Sequence, residues 1–169
     1  FGKLSQIKIR QNKLELLQTN LIISHSTGVG ELTPNRIVKL MILLKIISLG
    51  RGYSGIRLEL IKQMLKHYNA GSIPLVPSQG SVGASGDLAP LSHMSLPLIG
   101  LGKVKYKSSI ITSIELLKKL NLKPIVLSYK EGLALINGTQ FSAAYGIETI
   151  TRLKKLSIIA DIAGAITVE

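Results

Sequence analysis

The loop Gly80-Ser81-Val82-Gly83-Ala84-Ser85-Gly86-Asp87 combines three glycines at intervals of three with two hydroxyls and a carboxylate. Backbone N–H groups in such a loop could cradle a phosphate. No Lys-Ser or Lys-Thr follows, however, no buried strand precedes, and the order Gly-x-Gly-x-x-Gly is absent, which argues against a nucleotide loop. A serine nucleophile is also unsupported, because the second residue after Ser85 is Asp87 where a nucleophile elbow needs glycine. On spacing alone the loop reads as a flexible entry to a helix capped by Asp87.

Outside the loop, His25 ends a helical pattern, where a cationic ring suits the C-terminal dipole. Asn137 precedes Gly138 as a helix C-cap would. Arg51 and Arg57 could bind a carboxylate but read better as contacts between helices or subunits. His93 is either a packed core residue or a site residue, and His67, near a helix end, has only a structural reading. Three histidines without a carboxylate cluster give no metal site.

The elements that must position these residues are mostly helical. Helical spacing of Leu14, Leu17 and Leu21 predicts a helix over about residues 5–24, ended by a Gly28-Val29-Gly30 loop. Thr33-Pro34 reads as an N-cap and first-turn pair for a helix over 35–49. A third helix spans 58–69 and stops at Gly71. Residues 72–87 form a long irregular stretch, of the kind that is usually functional or mobile. Asp87 caps a helix over 88–99, with Pro97 straining its end. Residues 102–112 form the one plausible hairpin, and 113–120 a short helix. Ser128 and Glu131 match the capping-box pattern for a helix ending at Asn137-Gly138. A last helix runs from 139 to 169 without a stop signal.

The chain has 169 residues, 46% of them hydrophobic and 18% charged, so it can bury a sizeable core and is not disordered. It has no cysteine, which suits a reducing cytoplasm. The net charge of +12 suggests nucleic acid or an anionic membrane. The basic residues are scattered singly, as at Lys39, Lys45, Lys62, Lys66, Lys103 and Lys105, without a block and with few aromatics. They read as a solvated surface rather than a nucleic-acid footprint. Leu40 to Leu49 is too short for a membrane span and carries Lys45. The start at Phe1-Gly2-Lys3 offers no leader pattern, and the missing initiator Met leads us to expect an internal fragment.

The string from Gly80 through Asp87 to Leu88-Ala89-Pro90-Leu91-Ser92-His93 closely resembles the signature of the aromatic amino acid ammonia-lyase family. Phe1-Gly2 looks like the tail of the family's Tyr-Gly-x-x-Thr-Gly-Phe-Gly motif. The blocks Ser24-His25-Ser26-Thr27-Gly28-Val29-Gly30, Arg51-Gly52-Tyr53-Ser54-Gly55-Ile56-Arg57 and Asn137-Gly138-Thr139-Gln140 also match, in the family's order and over essentially the whole length. The resemblance implies that Ala84, Ser85 and Gly86 cyclise to 4-methylidene-imidazol-5-one, an electrophile made from the chain itself, with no external cofactor. Closure needs the Gly86 nitrogen to attack the Ala84 carbonyl carbon, a fold-back that a residue without Cβ at 86 and a small one at 84 permit. Ser85 then loses its hydroxyl as water. Lying before Leu88, the ring would sit at the positive end of a helix dipole. Asp87 would be a cap first and a helper in cyclisation second.

The same resemblance implies a mainly α fold, a helical bundle with one small hairpin and loop region. Residues 1–169 would form part of a larger all-α lyase domain, with the central bundle starting at about 139 and no complete domain boundary inside. The activity implied is elimination of ammonia from an aromatic amino acid. The pair Ser24-His25, which in the family lies against the substrate side chain, points to L-histidine and urocanate, since imidazole can exchange hydrogen bonds with imidazole. Asn137 matches the family's Asn beside the ring and substrate. The family's Tyr base would lie upstream of Phe1, so these residues carry the electrophile without its base and the isolated chain is expected to be inactive. A cytoplasmic homotetramer with shared active sites, without nucleic acid or membrane, completes the expectation. The alternatives are a tyrosine or phenylalanine lyase or aminomutase of the same family and, from another class, a basic helical nucleic-acid-binding module.

Overall fold

The computed structural model describes residues 13–83 and 86–169. Phe1-Gly2, the first part of the helix expected over 5–24, and the two loop residues Ala84 and Ser85 lie outside the described residues. Among the described residues seven α-helices carry the architecture: α1 (Leu14–His25), α2 (Asn35–Gly50), α3 (Leu58–Asn69), α4 (Leu88–Ser95), α5 (Ser113–Lys119), α6 (Glu131–Ile136) and α7 (Gln140–Val168). Five short strands among the same residues interleave with them: β1 (Val29–Leu32), β2 (Ile73–Pro74), β3 (Pro77–Gln79), β4 (Lys103–Tyr106) and β5 (Ser109–Thr112). The fold is mainly α, as expected.

On α2, residues Ile37, Val38, Met41, Ile42, Lys45, Ile46 and Leu49 are buried, a stripe at helical spacing that faces the core. This stripe packs on α3 and on the start of α7, while α1 packs on α4 and α6. Ile22, Met41, Leu60, Leu91, Leu127, Leu135 and Ile136 form the centre of the resulting core. At the α2–α7 junction Glu148 takes Arg36 at 2.7 Å and Arg152, one turn along α7, at 2.8 Å. Beyond Glu148 the long helix is exposed along its length, with Ile150, Leu153, Ile159, Ile162 and Ile166 facing outward.

The irregular stretch over 72–87 contains more order than its composition suggests. Strand β3 pairs antiparallel with β1, Val29 opposite Gln79, so the expected Gly28-Val29-Gly30 loop runs into a strand. Strand β2 adds to the hairpin β4–β5, making a three-stranded sheet in the order β2-β4-β5. Both additions are pairings between distant segments, which no local pattern encodes.

Several helix ends differ from expectation. The helix over 88–99 is α for Leu88–Ser95 and then a 3₁₀ turn over Leu96–Ile99, because Pro97 cannot donate to an α-helical carbonyl. Thr33 does not cap α2: it is buried, its hydroxyl makes no hydrogen bond among the described residues, and its N–H is donated to the Val76 carbonyl. Before α6, Glu131 accepts from the Ser128 N–H at 2.7 Å, half of the expected capping box. The rest of that carboxylate is occupied by Arg57, whose backbone N–H, Nε and guanidinium NH2 all donate to it at 2.7–3.1 Å. Burial pushes the Glu131 carboxyl up, but these hydrogen bonds outweigh it and hold the group below the usual range. Arg57 is thus an inter-element contact.

Candidate active site

Gly86 is where the chain's two halves meet. Its φ is +131°, and a Cβ there would lie 2.7 Å from the carbonyl oxygen and 2.8 Å from the nitrogen of Gly138. Only glycine fits that approach. The next residue fastens the contact, the Asp87 N–H donating to the Gly138 carbonyl at 2.7 Å. The Gly86-Asp87 end of the loop and the Asn137-Gly138 turn between α6 and α7 are therefore one packed unit.

Asp87 stands at the N-cap position of α4, but its side chain makes no cap bond to that helix, contrary to expectation. The carboxylate instead accepts from the Ser142 N–H and the Ser142 hydroxyl, each at 2.8 Å, and from the Ser81 hydroxyl at 2.7 Å. It caps the N-terminus of α7, where a negative charge is favoured by the dipole of a 29-residue helix. The longer helix, with its first-turn N–H groups unpaired, outcompetes the eight-residue helix that follows Asp87 in sequence.

The segment carrying Ser24 and His25 reaches the same place from the other side. Gly28 donates its N–H to Nε2 of His93, on α4, at 3.0 Å. Gly28 also packs against Gly80, whose missing Cβ would lie 3.0 Å from the Gly28 Cα. His93 is thus an acceptor at Nε2, and burial lowers its pKa, which keeps the ring neutral for that role. This work of His93, tying the 25–28 segment to α4, makes it a site-building residue.

Ser24, His25, Thr27, Gly80, Val82, Gly86, Leu88 and Ala89 line a cavity of about 160 Å³. The ring of His25 is oriented by its own helix, Nδ1 lying 2.8 Å from the Leu21 carbonyl. A carbonyl can only accept, so Nδ1 carries a proton, and the Ser24 hydroxyl beside it donates to the same carbonyl at 3.1 Å. Nε2 of His25 has no hydrogen-bond partner among the described residues. In the neutral ring it is a lone-pair acceptor available to a guest. A larger groove of about 780 Å³, lined by Leu58, Lys62, Lys66 and Pro124 among others, shares no residue with this set and brings no reactive groups together.

Asn137 ends α6, is exposed, and accepts through its carbonyl from Nζ of Lys45 at 2.7 Å. That lysine overturns one expectation from the sequence. Lys39, Lys62, Lys66, Lys103 and Lys105 are exposed, but Lys45 is 1% exposed, and burial pushes its ammonium down to about 8. The helical spacing of Lys45 with Met41, Ile42 and Leu49 was the available signal. Ser81 and Ser142 carried none, since only the fold brings them to Asp87.

Among the described residues no group of acidic, histidine or cysteine side chains could hold a metal ion, and no helix is long and apolar enough to cross a membrane.

Residues 1–169 match the family model for aromatic amino acid lyases. Over all 169 residues the chain is 50% identical to the histidine ammonia-lyase of Vibrio cholerae and 47% identical to that of Psychromonas ingrahamii. It spans 33% of the length of each of these relatives. Among solved structures, a histidine ammonia-lyase from Trypanosoma cruzi superposes with a TM-score of 0.88 at 42% identity, covering 95% of this chain and 31% of that one. A phenylalanine aminomutase from Pantoea agglomerans gives 0.83 at 36% identity, with coverages of 88% and 28%.

Proposed function

Because the chain belongs to the aromatic amino acid lyase family, we propose that the protein eliminates ammonia from L-histidine to give urocanate, with Ala84, Ser85 and Gly86 closing into a 4-methylidene-imidazol-5-one. The observation that carries this reading is the meeting of three segments around Gly86: the His25 cavity, the end of the Gly-rich loop, and the Asn137-Gly138 turn.

The described part of the tripeptide fits the group. Residue 86 has to lack a Cβ both for ring closure and for its approach to Gly138, and a single glycine meets both demands. Formed there, the ring supplies an electrophilic carbon to the substrate amine. The chain's own residues do the rest. Gly86 and Asp87 stand at the N-terminus of α4, whose unpaired N–H groups favour negative charge developing nearby. Asp87 and Gly138 hold the backbone on the C-terminal side of the tripeptide rigid. His25, its Nδ1 proton committed to Leu21, offers Nε2 as an acceptor for an N–H of the substrate imidazole. A phenyl ring would leave that nitrogen unpaired. Asn137, at the end of α6, contacts the substrate, and the Ser24 hydroxyl, 3.2 Å from the same Nδ1, helps to hold the imidazole of His25 in place.

The protein works as a cytoplasmic homotetramer in this reading, residues 1–169 forming part of one lyase domain and α7 entering its central bundle. The outward apolar side chains of α7 support that placement, since a face of this kind needs cover.

The test offers L-histidine, L-tyrosine and L-phenylalanine separately to the full-length protein and follows the conjugated acid by ultraviolet absorbance. Urocanate alone is expected. Coumarate or cinnamate would overturn the substrate, and a peptide over 80–87 lacking none of its two waters would overturn the mechanism.

A further inference from the structure

Lys45 is a buried cation that neither the core nor the chemistry derived above requires. It occupies one position of the α2 stripe, between Met41, Ile42 and Leu49, where an apolar side chain of similar length would pack without desolvating a charge. Among the described residues no carboxylate lies within ion-pair distance of it. Its ammonium is instead spent on one peptide group and one amide: the Asn137 carbonyl at 2.7 Å and, more weakly, Oε1 of Gln140 at 3.5 Å. Both acceptors flank Gly138, whose nitrogen and oxygen press on Gly86.

We propose that Lys45 is a positioning residue of the reaction centre, clamping the Asn137 carbonyl so that the Asn137–Gly138 peptide is held against Gly86 and Asn137 leaves the turn in a fixed direction. Resting on the lyase reading above, the inference adds a residue that touches neither ring nor substrate. The clamp is directional. A charge-assisted N–H donor at 2.7 Å fixes the plane of the 137–138 peptide. It also polarises that peptide, which strengthens the N–H of Gly138 as a donor beside Gly86. Without the ammonium, the Asn137 carbonyl would be left without its buried donor and the turn would lose one of its anchors, another being the Asp87 N–H on the Gly138 carbonyl.

The test compares wild type, K45M, K45R and K45Q in the full-length protein. Three quantities are read: the two-water mass loss of the peptide carrying residues 80–87, kcat and KM for L-histidine, and the melting temperature. K45M is expected to melt no lower than wild type, because it removes a desolvated charge. Its two-water loss should be slow or incomplete and its kcat about tenfold to a hundredfold lower, with KM changed much less. K45R, which keeps a permanent charge and N–H donors, should restore mass loss and bring kcat within about threefold of wild type. Wild-type mass loss and kcat in K45M would overturn the proposal, as would K45R no better than K45M. Should K45M fail to fold, K45R against K45Q decides, equal kcat in the two being the overturning result. Absence of the mass loss in wild type is a different failure, that of the lyase reading itself, and removes this inference with it.

Discussion

The carboxylate of Asp87 receives both the backbone N–H and the hydroxyl of Ser142, 55 positions downstream, each at 2.8 Å. With Ser81 as third donor, Asp87 welds the Gly-rich loop to the first turn of the longest helix. Asp87→Ala is expected to lower stability by about 2 to 4 kcal/mol, since it strips a buried acceptor from three donors. In a double-mutant cycle with Ser142→Ala, measured by denaturant unfolding, the coupling should reach about 1 kcal/mol or more. Strict additivity would show that the two side chains do not act together.

Two glycines a few residues apart should respond very differently to a methyl group. At Gly86 the new Cβ meets the Gly138 backbone at 2.7 Å, whereas at Gly83, with φ of +67°, it meets nothing within 4 Å. Gly86→Ala is expected to cost about 2 to 4 kcal/mol and to abolish the two-water loss. Gly83→Ala should cost only about 1 kcal/mol, the conformational penalty alone, and leave the mass loss intact. Thermal melting and peptide mass spectrometry check both.

Stability should fall in mild acid through His67. The residue is 5% exposed on α3, its Nε2 has no hydrogen-bond partner among the described residues, and burial pushes its pKa down to about 4 from 6.5. Between those values the unfolded chain binds a proton that the folded one refuses, so unfolding becomes easier as pH drops from 6.5 towards 4. The loss attributable to this group is on the order of 3 kcal/mol. His67→Leu should flatten the pH dependence over that window, and an unchanged slope in urea titrations at several pH values would contradict it.

Selectivity should follow His25. His25→Phe removes the Nε2 acceptor while keeping a ring of similar reach, so kcat/KM for L-histidine is expected to drop about tenfold to a hundredfold, with the ratio for L-phenylalanine over L-histidine rising. Unaltered preference among the three substrates would detach His25 from specificity.

How far the sequence foretold all this depends on whether a signal was local. The helix over 58–69 was legible to the residue because Gly71, at φ of +70°, stops it. The hairpin over 102–112 was legible because Val104, Tyr106, Ile110 and Ile111 make two β-rich runs, and the structure closes them through a turn with Lys107 at φ of 54°. Strands β1, β2 and β3 were not, since each exists only by pairing with a distant segment. The candidate site divides in the same way. Ser24, His25 and Asn137 announced themselves through motif blocks, whereas Asp87 looked like a local cap because the competing helix end at Ser142 is supplied by tertiary structure. Lys45 looked like surface because the eye counts charges along a chain before it counts positions around a helix.

The packing of Gly86 on Gly138 also sets an order of events in biosynthesis. When the Gly-rich loop leaves the ribosome, the turn that must press on it has not yet been made, and neither has Ser142, 55 residues after Asp87. The contacts that hold Gly86 and Asp87 therefore become available only after α6 and the first turn of α7 have docked. On the proposed mechanism, cyclisation at this loop would be a late event, and the loss of two waters would double as a timestamp for arrival of the second half of the site.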